Sequence, residues 1–222
     1  MVDYDQFAHT FSKSRKDHPW PELDYIIHDI KKQWYLSVLD IGCGNGRLLE
    51  ELEKEDSRLQ ITDRKPRYIW IDNSIGMVEE ARRLHPEYQF EVCEMTQILD
   101  SRFQIWKYDA IIFLASFHHL ETREARLQVL SDVRSLLALW GRIYMTNWNL
   151  RAQERYEKSH RWDGDYDIKI GAYSRYYHGF SVEELGELFL ETGYEIALNR
   201  VWEGGRNIVS ILSGSVTRDL RK

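Results

Sequence analysis

The stretch Val38-Leu39-Asp40-Ile41-Gly42-Cys43-Gly44-Asn45-Gly46 constrains the fold of this chain more than any other. A short apolar run ends in an acid, and three glycines follow at alternate positions. Arg47-Leu48-Leu49-Glu50-Glu51-Leu52 then reads as the first turns of a helix. Strand, tight glycine turn and helix in that order open a nucleotide-binding βαβ unit. Glycine supplies φ > 0 in the turn and lets a ligand approach the backbone with no Cβ in the way. The G-x-G-x-G spacing differs from the G-x-G-x-x-G of dinucleotide enzymes, which counts against a dehydrogenase.

Further strand–helix units follow. Tyr68-Ile69-Trp70-Ile71-Asp72 is a buried-type strand ending in an acid, which either takes two ribose hydroxyls or caps the helix that Asn73-Ser74 begins. A third strand is expected at 88–93, leading to Glu94-Met95. Tyr108 to Leu114 is a central strand running into Ala115-Ser116-Phe117-His118-His119-Leu120. A helix is expected from Thr122 to Leu139, ended by Trp140-Gly141, then a fifth strand from Arg142 to Asn147 with Trp148 at its end. Residues 150–178 are charged and aromatic without clean periodicity and read as a substrate loop or lid. Ser181 and Glu184 form a capping box for a helix reaching about Glu191, with Gly193 as its stop. Tyr194–Trp202 and Asn207–Leu212 are strands joined through Glu203-Gly204-Gly205-Arg206 as a hairpin.

Upstream of the glycine turn, residues 3–16 read as a short helix with a basic end that includes Arg15. His18-Pro19-Trp20-Pro21 breaks it, and Pro21 starts a second helix through about Gln33. The whole is expected to be one α/β domain, residues 1–222: a mostly parallel seven-stranded Rossmann-like sheet with an antiparallel C-terminal hairpin and helices on both faces. Residues 1–35 form a helical cap, 36–148 the nucleotide-binding core, 149–180 the substrate loop, and 181–222 the final helix and hairpin.

Composition narrows the function classes. A net charge of −6 argues against an indiscriminate nucleic-acid binder. Cys43 and Cys93 alone cannot build a zinc cluster or a disulfide framework, so no metal is expected. No apolar leader precedes the first helix, and the longest apolar run, Ala110 to Phe117, is too short to cross a bilayer. A soluble cytoplasmic protein without a membrane partner is expected.

The motifs Leu39–Gly46, Trp70–Ser74, Cys93–Met95 and Tyr108–Leu120 together resemble those of the class I S-adenosylmethionine-dependent methyltransferases. The resemblance implies S-adenosyl-L-methionine as cofactor and S-adenosyl-L-homocysteine as product. It places Asp40, Gly42, Gly44 and Gly46 along the methionine moiety and Asp72 at the ribose. Asn73 and Met77 fall at the adenine, Glu94 at the adenine amino group, and the Met95 backbone N–H beside it. Leu114 and Ala115 form the floor below the sulfonium. The flanks are similar to the tRNA wobble-uridine carboxymethyl methyltransferases, through Phe11-Ser12, Ser14-Arg15, Pro19-Trp20-Pro21, Phe117-His118-His119, Trp148 and Arg175-Tyr176-Tyr177-His178-x-Phe180. That narrower resemblance implies methyl-ester formation on a carboxymethyl group of a tRNA anticodon-loop uridine, and a small zinc-binding activator subunit as partner in the eukaryotic group.

The chemistry is consistent with either resemblance. A sulfonium methyl is already electrophilic, so the protein has to align a nucleophile and exclude water. An ionised carboxylate needs a positioning cation, for which Arg15 or Arg175 is suited, rather than a general base. His118, His119 and His178 are candidates to orient substrate or, for a protonated nucleophile, to act as base. Trp20, Trp148, Trp162, Tyr176 and Tyr177 either stack bases of an anticodon loop or seal a dry pocket over a small-molecule acceptor such as an acid, amine, phenol or quinone. Arg151, Arg155, Lys158, His160 and Arg161 either touch phosphates or form a solvated face with the interleaved Glu154 and Glu157. A cofactor-binding partner protein without turnover is the remaining alternative.

Overall fold

In the computed structural model, residues 21–53, 67–100, 103, 106–170 and 173–214 are described. The first helix, Arg15 and Trp20 lie outside them. Helix α1 (Pro21–Lys32) starts on a proline whose missing N–H costs nothing at that position. Glu22 and Asp24 in its first turn and Lys31 and Lys32 in its last complement the helix dipole, and Leu23, Ile26, Ile27 and Ile30 are buried along one face. Strand β1 (Ser37–Ile41) and helix α2 (Arg47–Glu53) flank the glycine turn. Strand β2 (Arg67–Asp72), helix α3 (Ile75–Leu84) and strand β3 (Phe90–Val92) follow. Next come strand β4 (Tyr108–Leu114), helix α4 (Arg123–Leu136) and strand β5 (Leu137–Trp148). The chain closes with β6 (Asp165–Ile170), β7 (Tyr173–His178), α5 (Val182–Glu191), β8 (Tyr194–Val201) and β9 (Asn207–Gly214).

Seven strands form one sheet in the order β3-β2-β1-β4-β5-β9-β8. The first five are parallel, and β9 runs antiparallel to both β5 and β8. Strand order reverses direction between β1 and β4, which opens a crevice at their C-terminal ends where such sheets hold ligands. Each face of the sheet carries a core. Leu39, Ile41, Ile111 and Phe113 pack with Val129, Val133, Leu185 and Phe189. Val38, Trp70, Ala110 and Ile112 pack with Ile26, Ile30, Leu48 and Val78. Alternate residues of single strands feed the two cores, which is why these strands read as continuous apolar runs.

Two expectations are corrected. Helix α4 stops at Leu136, and β5 begins at Leu137, five residues before the expected start. Leu139 and Trp140 are exposed, so no burial favours continuing the helix there. A Cβ at Gly141 would sit 2.7 Å from the Tyr108 carbonyl oxygen, and the β4/β5 register shifts between Tyr108 and Ala110 at that close approach. The second correction concerns 149–180. Instead of an unpatterned loop, this segment holds short 3-10 turns and an antiparallel pair in which Asp165 faces His178 and Tyr166 faces Tyr177. Asp165-Tyr166-Asp167-Ile168-Lys169-Ile170 alternates polar and apolar residues, a period-two signal in the sequence itself. Tyr166, Ile168 and Tyr177 pack with Leu150 as a small separate core.

Candidate functional site: a cavity at the sheet switch point

The glycine turn is held from three sides. Gly42 and Cys43 donate N–H bonds to the Ile71 carbonyl, at 2.8 and 3.0 Å. Asp72 Oδ2 accepts the Gly44 N–H at 2.8 Å, while Oδ1 accepts the Ser74 N–H at 2.9 Å. Ser116 donates its hydroxyl to the Ile41 carbonyl at 2.6 Å and presses so closely on Gly42 (φ +80°) that a Cβ there would lie 2.3 Å from the Ser116 Cβ. Ala115 adopts φ +51°, a left-handed conformation costly for a residue with a Cβ, and donates its N–H to Thr146. Both the glycine turn and the end of β4 are thus fixed in shape before any ligand arrives.

The cavity above them is lined by Asp40, Gly42, Gly44, Asp72, Asn73, Met77, Met95, Leu114 and Ala115, all expected from the sequence. His119, Trp148, Arg175 and Tyr177 close it from the hairpin side. Trp148 and Tyr177 stack with centroids 5.0 Å apart and planes 16° apart, and His119 meets Tyr177 edge-on at 4.5 Å. The Arg175 guanidinium lies 5.7 Å from the Tyr177 ring centroid. Burial pulls the Arg175 guanidinium down to about 10, so it stays charged at neutral pH.

Asp40 carries the strongest ligand signature. It is buried, and its Oδ1 has no hydrogen-bond partner among the described residues. Burial, and then the nearby Asp72 carboxylate, raise it well above the usual carboxylate range. An ammonium group would satisfy both the lone oxygen and the charge. A Cβ at Gly44 would have only Met77 Cε within reach, at 4.0 Å, so the turn leaves open space there. Those residues fit an amino-acid moiety on Asp40 and a polar ring system toward Asp72 and Met95.

Several residues expected at the site are placed elsewhere. Gly46 packs against the Phe90 ring, where a Cβ would come within 2.9 Å, and does not line the cavity. Glu94 is exposed at the rim and accepts a bond from Asn73 Nδ2 at 3.1 Å. His118 is wholly buried behind His119; its Nδ1 accepts the Trp148 N–H at 3.2 Å, and burial, then His119, pull it well below its usual range. Tyr176 and His178 depart from the expectation because strand residues alternate in direction. Arg175 and Tyr177 face the cavity, whereas Tyr176 and His178 turn toward α4 and α5. There the Tyr176 hydroxyl donates to Asp165 Oδ1 at 2.6 Å, and His178 lies between Asp165 Oδ1 (2.9 Å) and Glu184 Oε1 (2.6 Å). Buried Arg126 donates to the Tyr176 hydroxyl at 3.0 Å. Trp162 is exposed and outside the lining. Sequence reasoning did not single out Ser116, Cys93 or Leu23 as lining residues. Ser116 had a signal, as a small polar residue directly after Ala115, but Leu23 is brought in only by the packing of α1.

Residues 39–143 match the family model of a methyltransferase domain. The tRNA (carboxymethyluridine(34)-5-O)-methyltransferase of Saccharomyces cerevisiae is 30% identical over 66% of this chain and 47% of its own length. The enzyme of the same name from Xenopus tropicalis is 29% identical over 70% of this chain and 22% of its own length. The chain thus spans less than half the length of both curated relatives. A crystal structure of an S-adenosylmethionine-dependent methyltransferase from Clostridium acetobutylicum superposes with a TM-score of 0.71, covering 96% of this chain and 99% of that one at 14% identity. The fold is that of the S-adenosylmethionine-dependent methyltransferases. Residues 39–143 thus carry a methyltransferase domain, built on that fold.

Proposed function

We propose that the chain methylates a carboxylate on a tRNA uridine, at the carboxymethyl group of the wobble position, to give the methyl ester. The observation that carries this reading is Arg175: a half-buried guanidinium opening on the same cavity as Asp40 and the glycine turn. Asp40 takes the cofactor's ammonium, Gly42 and Gly44 lie along its methionine moiety, Asp72 takes the ribose, and Asn73, Met77 and Met95 the adenine. Held there, S-adenosylmethionine would supply an electrophilic methyl whose sulfonium would leave as a neutral thioether, and an ionised carboxylate needs no proton removed to accept it. Arg175 holds the carboxylate through paired N–H bonds and orients one oxygen lone pair toward the methyl. Trp148 and Tyr177 offer a flat apolar wall for the base and keep water out. Burial pulls His119 down to about 4, so it is neutral at physiological pH and cannot serve as the positioning cation. The relatives' names support the RNA acceptor, and the placement of Arg175 beside the Trp148–Tyr177 wall, away from the glycine turn that Arg47 follows, supports the ester.

The test is transfer of radiolabelled methyl to an anticodon stem-loop bearing carboxymethyluridine, with release of the label by mild alkali as the mark of an ester. Arg175→Ala is expected to lower kcat/KM by at least about 100-fold while leaving cofactor affinity unchanged. Alkali-stable label, or equal activity on small acids without RNA, would replace this reading with methylation of a small-molecule acceptor.

A further inference from the structure

The cavity wall contains a second polar group with a defined hydrogen-bonding role. His119 Nδ1 lies 3.0 Å from the Tyr176 carbonyl oxygen. A carbonyl only accepts, so Nδ1 carries the proton and Nε2 keeps its lone pair. Nε2 has no partner among the described residues, and the ring lines the cavity against Tyr177. Packing alone would not require an imidazole here, because an edge-on contact with Tyr177 suits any aromatic ring. The Tyr176 carbonyl that fixes the tautomer sits next in the chain to Arg175, so one strand sets both polar groups. Burial keeps the ring neutral at physiological pH, so the lone pair is available.

We infer that His119 Nε2 is a substrate-recognition acceptor, taking a hydrogen bond from an N–H or O–H group of the methyl acceptor. This rests on the carboxylate reading above. Arg175 then reads the substrate's anionic arm, and His119 reads a donor on the ring or sugar that carries it. On a uridine the arm at C5 and the N3–H flank the C4 carbonyl, so two polar groups beside one Tyr177 ring can read both. The same chemistry is present in a ribose 2′-hydroxyl.

Methyl transfer is measured for wild type, His119→Phe and His119→Gln on carboxymethyluridine stem-loops that are otherwise plain, N3-methylated or 2′-O-methylated. Blocking the donor is expected to lower wild-type kcat/KM roughly tenfold or more and to cost His119→Phe nothing further. His119→Gln, which keeps an acceptor oxygen, is expected to recover part of the discrimination. Coupling with N3-methylation assigns the base N–H, and coupling with 2′-O-methylation assigns the hydroxyl; either supports the inference. Equal penalties in wild type and His119→Phe overturn it while leaving the carboxylate reading intact. A matching fall in cofactor affinity by calorimetry would move His119 to the cofactor and also overturn it. Absence of turnover by wild type on the plain stem-loop removes the carboxylate reading and this inference together.

Discussion

At the residue scale, Asp40 links stability to ligand binding. Its folded-state pKa is raised, so the empty fold binds a proton that the unfolded chain releases at lower pH. Stability is therefore lost as pH rises above the unfolded carboxylate value. An arriving ammonium favours the ionised form, so cofactor binding releases that proton and tightens as pH rises toward the raised value. Calorimetry in buffers of different ionisation enthalpy is expected to show proton release in wild type and none in Asp40→Asn. The same variant is expected to bind cofactor at least about tenfold more weakly, losing a charge-assisted contact. It should also unfold at higher denaturant than wild type at pH 8. A variant of unchanged affinity would remove Asp40 from the cofactor site. Legibility at this scale followed motif spacing. Asp40, Gly42, Gly44, Asp72, Met77 and Ala115 were readable because backbone conformation and ligand shape dictate them. The wall at Leu23 was not, since nothing in Pro21–Lys32 records which sheet edge that helix covers.

At the scale of elements, caps and strand alternation decide what each segment can do. Ser181 Oγ accepts the Glu184 N–H at 3.1 Å, and Glu184 also meets His178. Ser181→Ala is expected to cost about 1 kcal/mol in chemical denaturation. Gly42→Ala combines φ +80° with a Cβ 2.3 Å from Ser116, and is expected to cost about 2–4 kcal/mol and to lose cofactor binding. Ser116→Gly in the same chain should recover part of both, and failure to do so would place the strain elsewhere. Helix ends were legible to within a few residues through Pro21, Ser74, Thr122 and Ser181, whose side chains or rings have one good place to sit. The β6–β7 pair was missed because aromatic and charged residues masked its alternation. The early start of β5 was unreadable, since Leu137–Trp140 has a helix-like composition and only the close approach of Gly141 to Tyr108 fixes its path.

Across the whole molecule, the mostly parallel sheet and its closing antiparallel strands follow from the run of strand and helix signals, and both cores follow from apolar strands buried on two faces. No described helix is long and apolar enough to cross a membrane. Charge sets how an RNA would be held. The chain is net acidic, and Arg83, Arg123, Arg142 and Arg161 are each paired with a carboxylate. Arg82, Arg126 and Arg151 meet carboxylates as well, so affinity for a stem-loop is expected to depend only shallowly on salt, with a log–log slope of about −2, as for roughly three single-strand phosphate contacts. A slope near −6 in fluorescence anisotropy would call for a basic surface that these pairs do not provide.

The two sides of β7 do separate jobs, and they are inherited by separate positions. Arg175 and Tyr177 line the cavity, while Tyr176 and His178 bolt the hairpin to the helices behind it. Taste for one acceptor over another can therefore drift by replacing every second side chain, with the hinges of the scaffold left untouched. A single inserted residue in that strand would exchange the two sets at once, which makes it the place where a small change in length is least forgiving.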